Sequence, residues 1–173
     1  MNLSIYPPAI QSLLSADRVP ELGPGRPNAA VRSALDALTV EALFAGAPIR
    51  RPELAQCCLA GLWLLHDFLD KAHTISQDIA AAEGSYWHGI MHRREPDPSN
   101  AAYWFHRVGQ HPVIMQLVDQ APTLGYAYKN PFEFITFCEQ VRGTGNSDEE
   151  LARRVQRLEW DLLFAHCYGE ATG

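Results

Sequence analysis

Hydrophobic residues recur three and four positions apart along most of the chain after residue 28, which is the spacing of an amphipathic helix. The pattern predicts a first helix over residues 31–42 and a second from Pro52 to about His66. The second helix has almost no polar face, so we expect it to lie at the centre of the fold. A third helix, with Asp70 as its N-cap, is predicted to run to about Gly84, and a fourth covers Ser85–Arg94.

The same spacing continues to the C-terminus. A fifth helix follows Ser99, and a short helix from Pro112 ends before Pro122. Asn130 is predicted to cap another helix that closes at Gly143, and a capping box at Ser147 opens the last and longest one. The outer face of this last helix is predicted to carry three arginines, Arg153, Arg154 and Arg157. Because no stretch alternates with period two between hairpin turns, the predicted fold class is all-α.

Proline sets the N-terminus apart from the rest of the chain. Five of the twelve prolines fall in the first 27 residues, and this density prevents a long helix there. We therefore expect an extended proline-rich arm over residues 1–27 and a single compact multi-helix domain over residues 28–173. The pattern does not decide whether the arm packs against the domain.

Composition narrows the function classes. Hydrophobic residues make up 47% of the 173 positions and the net charge is −6, which predicts a folded core and argues against nucleic acid as a partner. No apolar stretch approaches the ~20 residues of a membrane span, and the first residues do not resemble a secretory signal. The four cysteines form no CxxC pair. We expect a soluble cytoplasmic protein whose partner is a small molecule or another protein.

Two predicted helical hairpins follow one another at similar spacing. Gly61 and Gly89 lie 28 residues apart, and each glycine is expected to let a neighbouring helix approach closely. Within residues 84–109, Ala101, the Trp104-Phe105 pair and Gly109 match the second-helix pattern of a known repeat family. This segment resembles a Sel1-type or tetratricopeptide-like repeat. The resemblance implies a protein-interaction role without catalysis.

The densest chemistry lies on the fourth predicted helix. His88, His92 and Glu95 are spaced i, i+4 and i+7, so they share one edge of the helix. Two imidazoles one turn apart can hold a divalent metal, and the carboxylate can complete the site or orient an imidazole. The spacing suits zinc or iron. It lacks the internal glutamate of the HExxH motif of metalloproteases.

Other residues are candidates for a third ligand or for binding a small molecule. Six of the seven histidines fall between residues 66 and 111, and if the two hairpins pack side by side their imidazoles face one pocket. The candidates for ligand binding are His66, Asp70, His73, Tyr103, His106 and, for an anionic substrate, Arg93. Asp67 and His111 are further donors nearby.

Three interpretations of these histidines stay open: ordinary hydrogen-bonded core residues, metal ligands, or metal-free acid–base and ligand-binding groups. The leading prediction is a helical protein whose histidine-rich pocket binds a metal or small ligand, with or without catalysis. The alternative is the interaction module implied by the repeat. An enclosed pocket with converging imidazoles would favour the former, whereas an exposed groove lined by Tyr86, Tyr103 and Arg107 would favour the latter.

Overall fold

The computed structural model describes residues 3–14 and 17–173, and these residues contain no β-strand. The all-α prediction is confirmed. The helices, in chain order, are α1 (Pro8–Gln11), α2 (Arg32–Ala37), α3 (Val40–Leu43), α4 (Pro52–Leu65), α5 (Leu69–Ser76), α6 (Ala82–Arg94), α7 (Pro98–Val108), α8 (Pro112–Gln120), α9 (Pro131–Val141) and α10 (Ser147–Thr172). Short 3₁₀ turns cover Leu3–Ile5, Ala29–Val31 and Ala121–Leu124.

The core is built around α4, α6 and α10. Helix α4 packs against α5, α6 and α10, and α6 packs in turn against α5 and α7. Helices α8 and α9 cover α10, and α9 also contacts α7. As expected, most side chains of α4 are buried, but α6 is buried further still, with every residue from Glu83 to Arg94 inside the protein. Polar side chains of α6 therefore sit in the interior and need internal partners.

Two glycines permit the close helix crossings that the sequence suggested. A Cβ atom on Gly61 of α4 would lie 2.8 Å from the Trp87 ring of α6. A Cβ atom on Gly89 of α6 would lie 2.9 Å from the Phe105 ring of α7. Both distances are shorter than a carbon–carbon contact of about 3.5 Å, so only glycine fits at these crossings without displacing its neighbour.

Several predicted helix boundaries are wrong. Asp70 does not cap the third helix, which begins at Leu69 with Phe68 at the N-cap position. The helix expected over residues 31–42 is divided, because Leu38 adopts an extended conformation and Thr39 caps α3 by accepting the Ala42 N–H at 3.2 Å. The third helix ends at Ser76 instead of near Gly84. Gly84 belongs to α6, where its Cα packs so closely on the Ile79 backbone that a Cβ would lie 2.5 Å from the carbonyl oxygen.

Side-chain caps set the start of the last two helices. Asn130 accepts the Glu133 N–H at 2.9 Å, as its position in the sequence predicted. The cap of α10 is Asn146, one residue before the predicted Ser147, and its side chain accepts the N–H groups of Asp148 and Glu149 at 3.0 Å. The asparagine oxygen satisfies two helix N–H groups that have no partner within the helix.

The arm packs on the helical body. The buried hydrophobic side chains of its described residues are Tyr6, Ile10, Leu13, Leu14 and Leu22. Its prolines donate no backbone hydrogen bond, and arginine side chains of the body donate to its carbonyl oxygens. Arg153 donates to Val19 and Pro20, and Arg157 donates to Leu14 and Arg18. Arg157 is therefore buried, and its predicted position on the outer face of the last helix is wrong.

Candidate metal site

Three histidines from two adjacent helices meet at one place. His88 and His92 lie one turn apart on α6, with ring centroids 4.8 Å apart. His73, on α5, has its ring centroid 4.5 Å from that of His88 and 5.5 Å from that of His92. One ligand atom from each histidine lies within 4.8 Å of the other two. The buried cluster can hold a metal ion.

The local fold explains this convergence. Helix α5 ends at Ser76, and residues 77–81 reverse the chain so that α6 packs directly against α5. His73 lies in the last turn of α5, and His88 and His92 follow in α6. The earlier end of α5 thus brings a third imidazole to the HxxxH pair.

His88 is oriented by a short hydrogen-bond chain. Its Nδ1 atom lies 3.1 Å from the Ser76 hydroxyl, and that hydroxyl donates to the His73 carbonyl oxygen at 3.3 Å. When the serine proton goes to the carbonyl, the serine oxygen accepts from Nδ1–H of His88. This tautomer leaves the Nε2 lone pair of His88 for a metal, and a second-shell partner of this kind is usual for metal-binding histidines.

Glu95 lies beside His92 without an aligned hydrogen bond to it. Its Oε2 atom is 3.2 Å from His92 Nδ1, but Nδ1 has no hydrogen-bond partner within the described residues. Of the two roles considered for Glu95, completing the site or orienting an imidazole, the second stays a prediction. Glu95 is not among the three converging ligand residues.

The surroundings hold the α6 imidazoles in their neutral form. Burial, together with the neighbouring His92 and His73 rings, lowers the pKa of His88 to about 3. Burial also lowers the pKa of His92, although Glu95 partly opposes this change. Both rings are therefore neutral near pH 7, the form that coordinates a metal.

The distances between the three ligand atoms are at most about 1.5 Å longer than those in a zinc site. With Zn–N bonds of 2.0–2.1 Å and tetrahedral geometry, two ligand nitrogens are about 3.3 Å apart. The three histidines therefore need to move closer by at most about 1.5 Å, which small side-chain rotations provide. His92 is 8% exposed and His73 is partly exposed, so the cluster reaches the surface on one side.

The remaining sequence candidates lie elsewhere. His66 joins the arm to the body, with Nε2 2.8 Å from the Leu13 carbonyl oxygen. Asp70 is exposed in the first turn of α5, and the exposed ring of His106 lies on Phe132. Tyr103 is 53% exposed and contacts Trp104, which separates it from His88. Of the candidates considered, His73 alone joins the HxxxH pair.

Arg93 and Arg94 are core residues. Arg93 is completely buried and forms an ion pair with Glu159 of α10. Arg94 donates to the Leu64 carbonyl at 2.8 Å and pairs with Asp67. Both guanidinium groups therefore bind carboxylates that are distant along the chain, and Arg93, the candidate for an anionic substrate, is paired with Glu159.

The exposed groove that would favour an interaction module is not formed as proposed, because Tyr86 is fully buried. Two clefts in the surface are lined by residues other than the three histidines. One of about 570 Å³ is lined by His111, Ile114 and Phe132, among others. Another, of about 320 Å³, is lined by residues including Asp70.

Sequence reasoning missed two contributors. Ser76, which orients His88, carries no recognisable signal beyond its position one turn after His73. The second contributor is His166, the one histidine outside residues 66–111, whose position in the sequence gives no sign of its contacts. In the structure it meets Glu83 and His111 in a second cluster.

Comparison with known proteins finds no matching family, no similar curated protein and no similar solved structure. Within residues 3–14 and 17–173, each helix is too short or too polar to cross a membrane. The function must therefore be inferred from the geometry of the chain itself.

Proposed function

We propose that the protein binds a zinc ion through His73, His88 and His92. The observation that carries this proposal is the convergence of three imidazoles from two packed helices, with one ligand atom of each within 4.8 Å of the others. Imidazole is a preferred zinc ligand, and three histidines are sufficient to retain the ion.

The surroundings of the cluster support this proposal. Ser76 bonds to Nδ1 of His88, which is the second-shell partner usual for a metal-binding histidine, and the Glu95 carboxylate lies 3.2 Å from Nδ1 of His92. The lowered pKa values of His88 and His92 remove competition from protons. An ordinary core histidine needs a single hydrogen-bond partner, and it gains nothing from two further imidazoles at van der Waals distance.

The number of protein ligands suggests what the ion does. A structural zinc site usually has four protein ligands, whereas a catalytic site has three and keeps the fourth position for water or substrate. Because His73 is partly exposed, solvent reaches the cluster. A zinc ion here would have an exchangeable fourth ligand, so we propose a site that can bind a small ligand or activate water.

The interaction-module alternative receives less support. It rests on the resemblance of residues 84–109 to a helical repeat and on the close crossing of α6 and α7 at Gly89. Tyr86, which would form one wall of its groove, is inaccessible. We therefore retain the interaction module only as the function to propose if the protein does not bind zinc.

The test is elemental analysis of protein that is purified without a histidine tag and dialysed against Zn²⁺ in excess over the chain. We expect stoichiometric zinc that survives gel filtration. The double variant His88→Ala/His92→Ala should bind one zinc ion fewer per chain than the parent, whereas His106→Ala, a change at an exposed histidine, should bind as much as the parent. If the double variant folds and binds as much zinc as the parent, the proposal is wrong.

A further inference from the structure

Glu83, His111 and His166 form a second cluster of metal-binding side chains that the proposed function does not use. Glu83 begins the buried part of α6, His111 precedes α8, and His166 lies in α10. Glu83 Oε1 lies 3.1 Å from His166 Nε2 and 3.7 Å from His111 Nε2. The ring centroids of the two histidines are 4.8 Å apart, and one ligand atom of each residue lies within 4.8 Å of the others.

We infer that this cluster is a second divalent-metal site, with two imidazoles and one carboxylate as its ligands. Two histidines and a carboxylate are a common donor set for zinc and for ferrous iron. Glu83 and His111 are 7% and 6% exposed, and the contacts with the imidazoles hold the pKa of Glu83 well below its usual range. The carboxylate is therefore ionised and supplies a negative charge that the three-histidine site lacks.

One ring nitrogen of His111 is left over at this cluster. His111 Nε2 is buried and has no hydrogen-bond partner at normal distance, since 3.7 Å from Glu83 is too long for a good hydrogen bond. A metal ion between His111 and Glu83 would take the place of the proton on this nitrogen. His166 is partly exposed, and His111 lines the cleft of about 570 Å³, so the cluster has access to solvent.

Metal binding at the second site has to break a hydrogen bond of the metal-free protein. His111 Nδ1 accepts the Val113 N–H at 3.2 Å and thereby caps α8. In the metal-free protein the His111 proton therefore lies on Nε2. A metal at Nε2 moves this proton to Nδ1, which breaks the cap. The loss of one helix cap lowers the affinity by about fivefold relative to a site without this competition.

This coupling supplies a signature that a nonspecific ion would not produce. When metal fills the second site, the Val113 amide loses its acceptor and should exchange its hydrogen faster. Occupation of the first site alone should leave that amide unchanged, because its three histidines lie on α5 and α6 and the acceptor of the Val113 N–H is His111. Amide exchange measured with and without Zn²⁺ reports this difference directly.

Metal stoichiometry tests the inference separately from the proposed function. With Zn²⁺ as the probe, we expect two ions per parent chain, one in folded Glu83→Gln, and one in the His88→Ala/His92→Ala variant. His166→Ala, a change at a partly exposed position, repeats the test if Glu83→Gln does not fold. Circular dichroism verifies that each variant is folded.

The other possible zinc stoichiometries show which of the two proposed sites is absent. A single ion that is lost only in the His88/His92 variant overturns the second site and keeps the first. A single ion that is lost only in Glu83→Gln or His166→Ala keeps the second site and overturns the first. A parent chain that binds no zinc overturns both.

Discussion

Replacing Gly61 with alanine tests whether the α4–α6 crossing positions the helix that carries His88 and His92. The added Cβ would lie 2.8 Å and 2.9 Å from two atoms of the Trp87 ring. Trp87 is 1% exposed and packs on Trp160, so its ring cannot swing away. Trp160 also donates to the Gly61 carbonyl at 2.8 Å, which resists movement of α4.

Two opposing effects determine the magnitude. Alanine is favoured over glycine inside a helix by about 1 kcal/mol. Overpacking a rigid core costs about 1–3 kcal/mol, and here ring and backbone must separate by about 0.7 Å to restore a normal contact. We expect a net loss of about 0–2 kcal/mol in the free energy of unfolding relative to the parent. Gly169, in the last turns of α10, is the matched control, because a Cβ there meets nothing within 4 Å.

Thermal and urea denaturation followed by circular dichroism measures both variants. Gly61→Ala should melt at or below the parent and Gly169→Ala at or slightly above it. The helix preference for alanine is common to both variants, so they differ by the overpacking cost of about 1–3 kcal/mol. For a chain of this size, 1 kcal/mol shifts Tm by about 2–4 °C, so the two variants should differ by about 2–12 °C. The reasoning is refuted if Gly61→Ala is as stable as Gly169→Ala.

Two further predictions concern buried polar groups. Arg94→Met should lower the free energy of unfolding by about 3–5 kcal/mol, because it leaves the Asp67 carboxylate buried without this partner. Urea denaturation beside the exposed control Arg154→Met checks this, and equal losses would contradict it. In EDTA, the parent should lose stability as the pH falls from about 6.5 toward 3, because the unfolded chain takes up the His88 proton first whereas the folded pKa is about 3. His88→Gln should reduce that slope by up to about 1.4 kcal/mol per pH unit, and an unchanged slope would contradict the assignment.

Local patterns predicted the helices well, because helix periodicity and caps such as Asn130 depend on residues close together in sequence. The division of the first predicted helix was missed, since Thr39 as an internal cap competes with a continuous apolar pattern. The start of α6 was missed for a similar reason. In the sequence, Ile79 fits the apolar stripe of a helix and Gly84 fits the end of one. In the structure, the two residues contact each other where the chain turns into α6.

The site was predictable only where its residues share one helix. The HxxxH spacing of His88 and His92 identified the pair, but the contribution of His73 depends on the chain reversal at residues 77–81. The second cluster was beyond local reasoning, because Glu83 and His166 lie 83 positions apart. Burial of Arg93 was unpredictable for the same reason, since its partner Glu159 is 66 positions away.

The proposed zinc site is tested most directly by anomalous diffraction at the zinc edge from crystals grown with Zn²⁺. The account predicts a peak among His73, His88 and His92, with one nitrogen of each about 2.0–2.1 Å from the metal. Saturating Zn²⁺ with no peak at this position, and with the three rings left as they are in the metal-free protein, would contradict it.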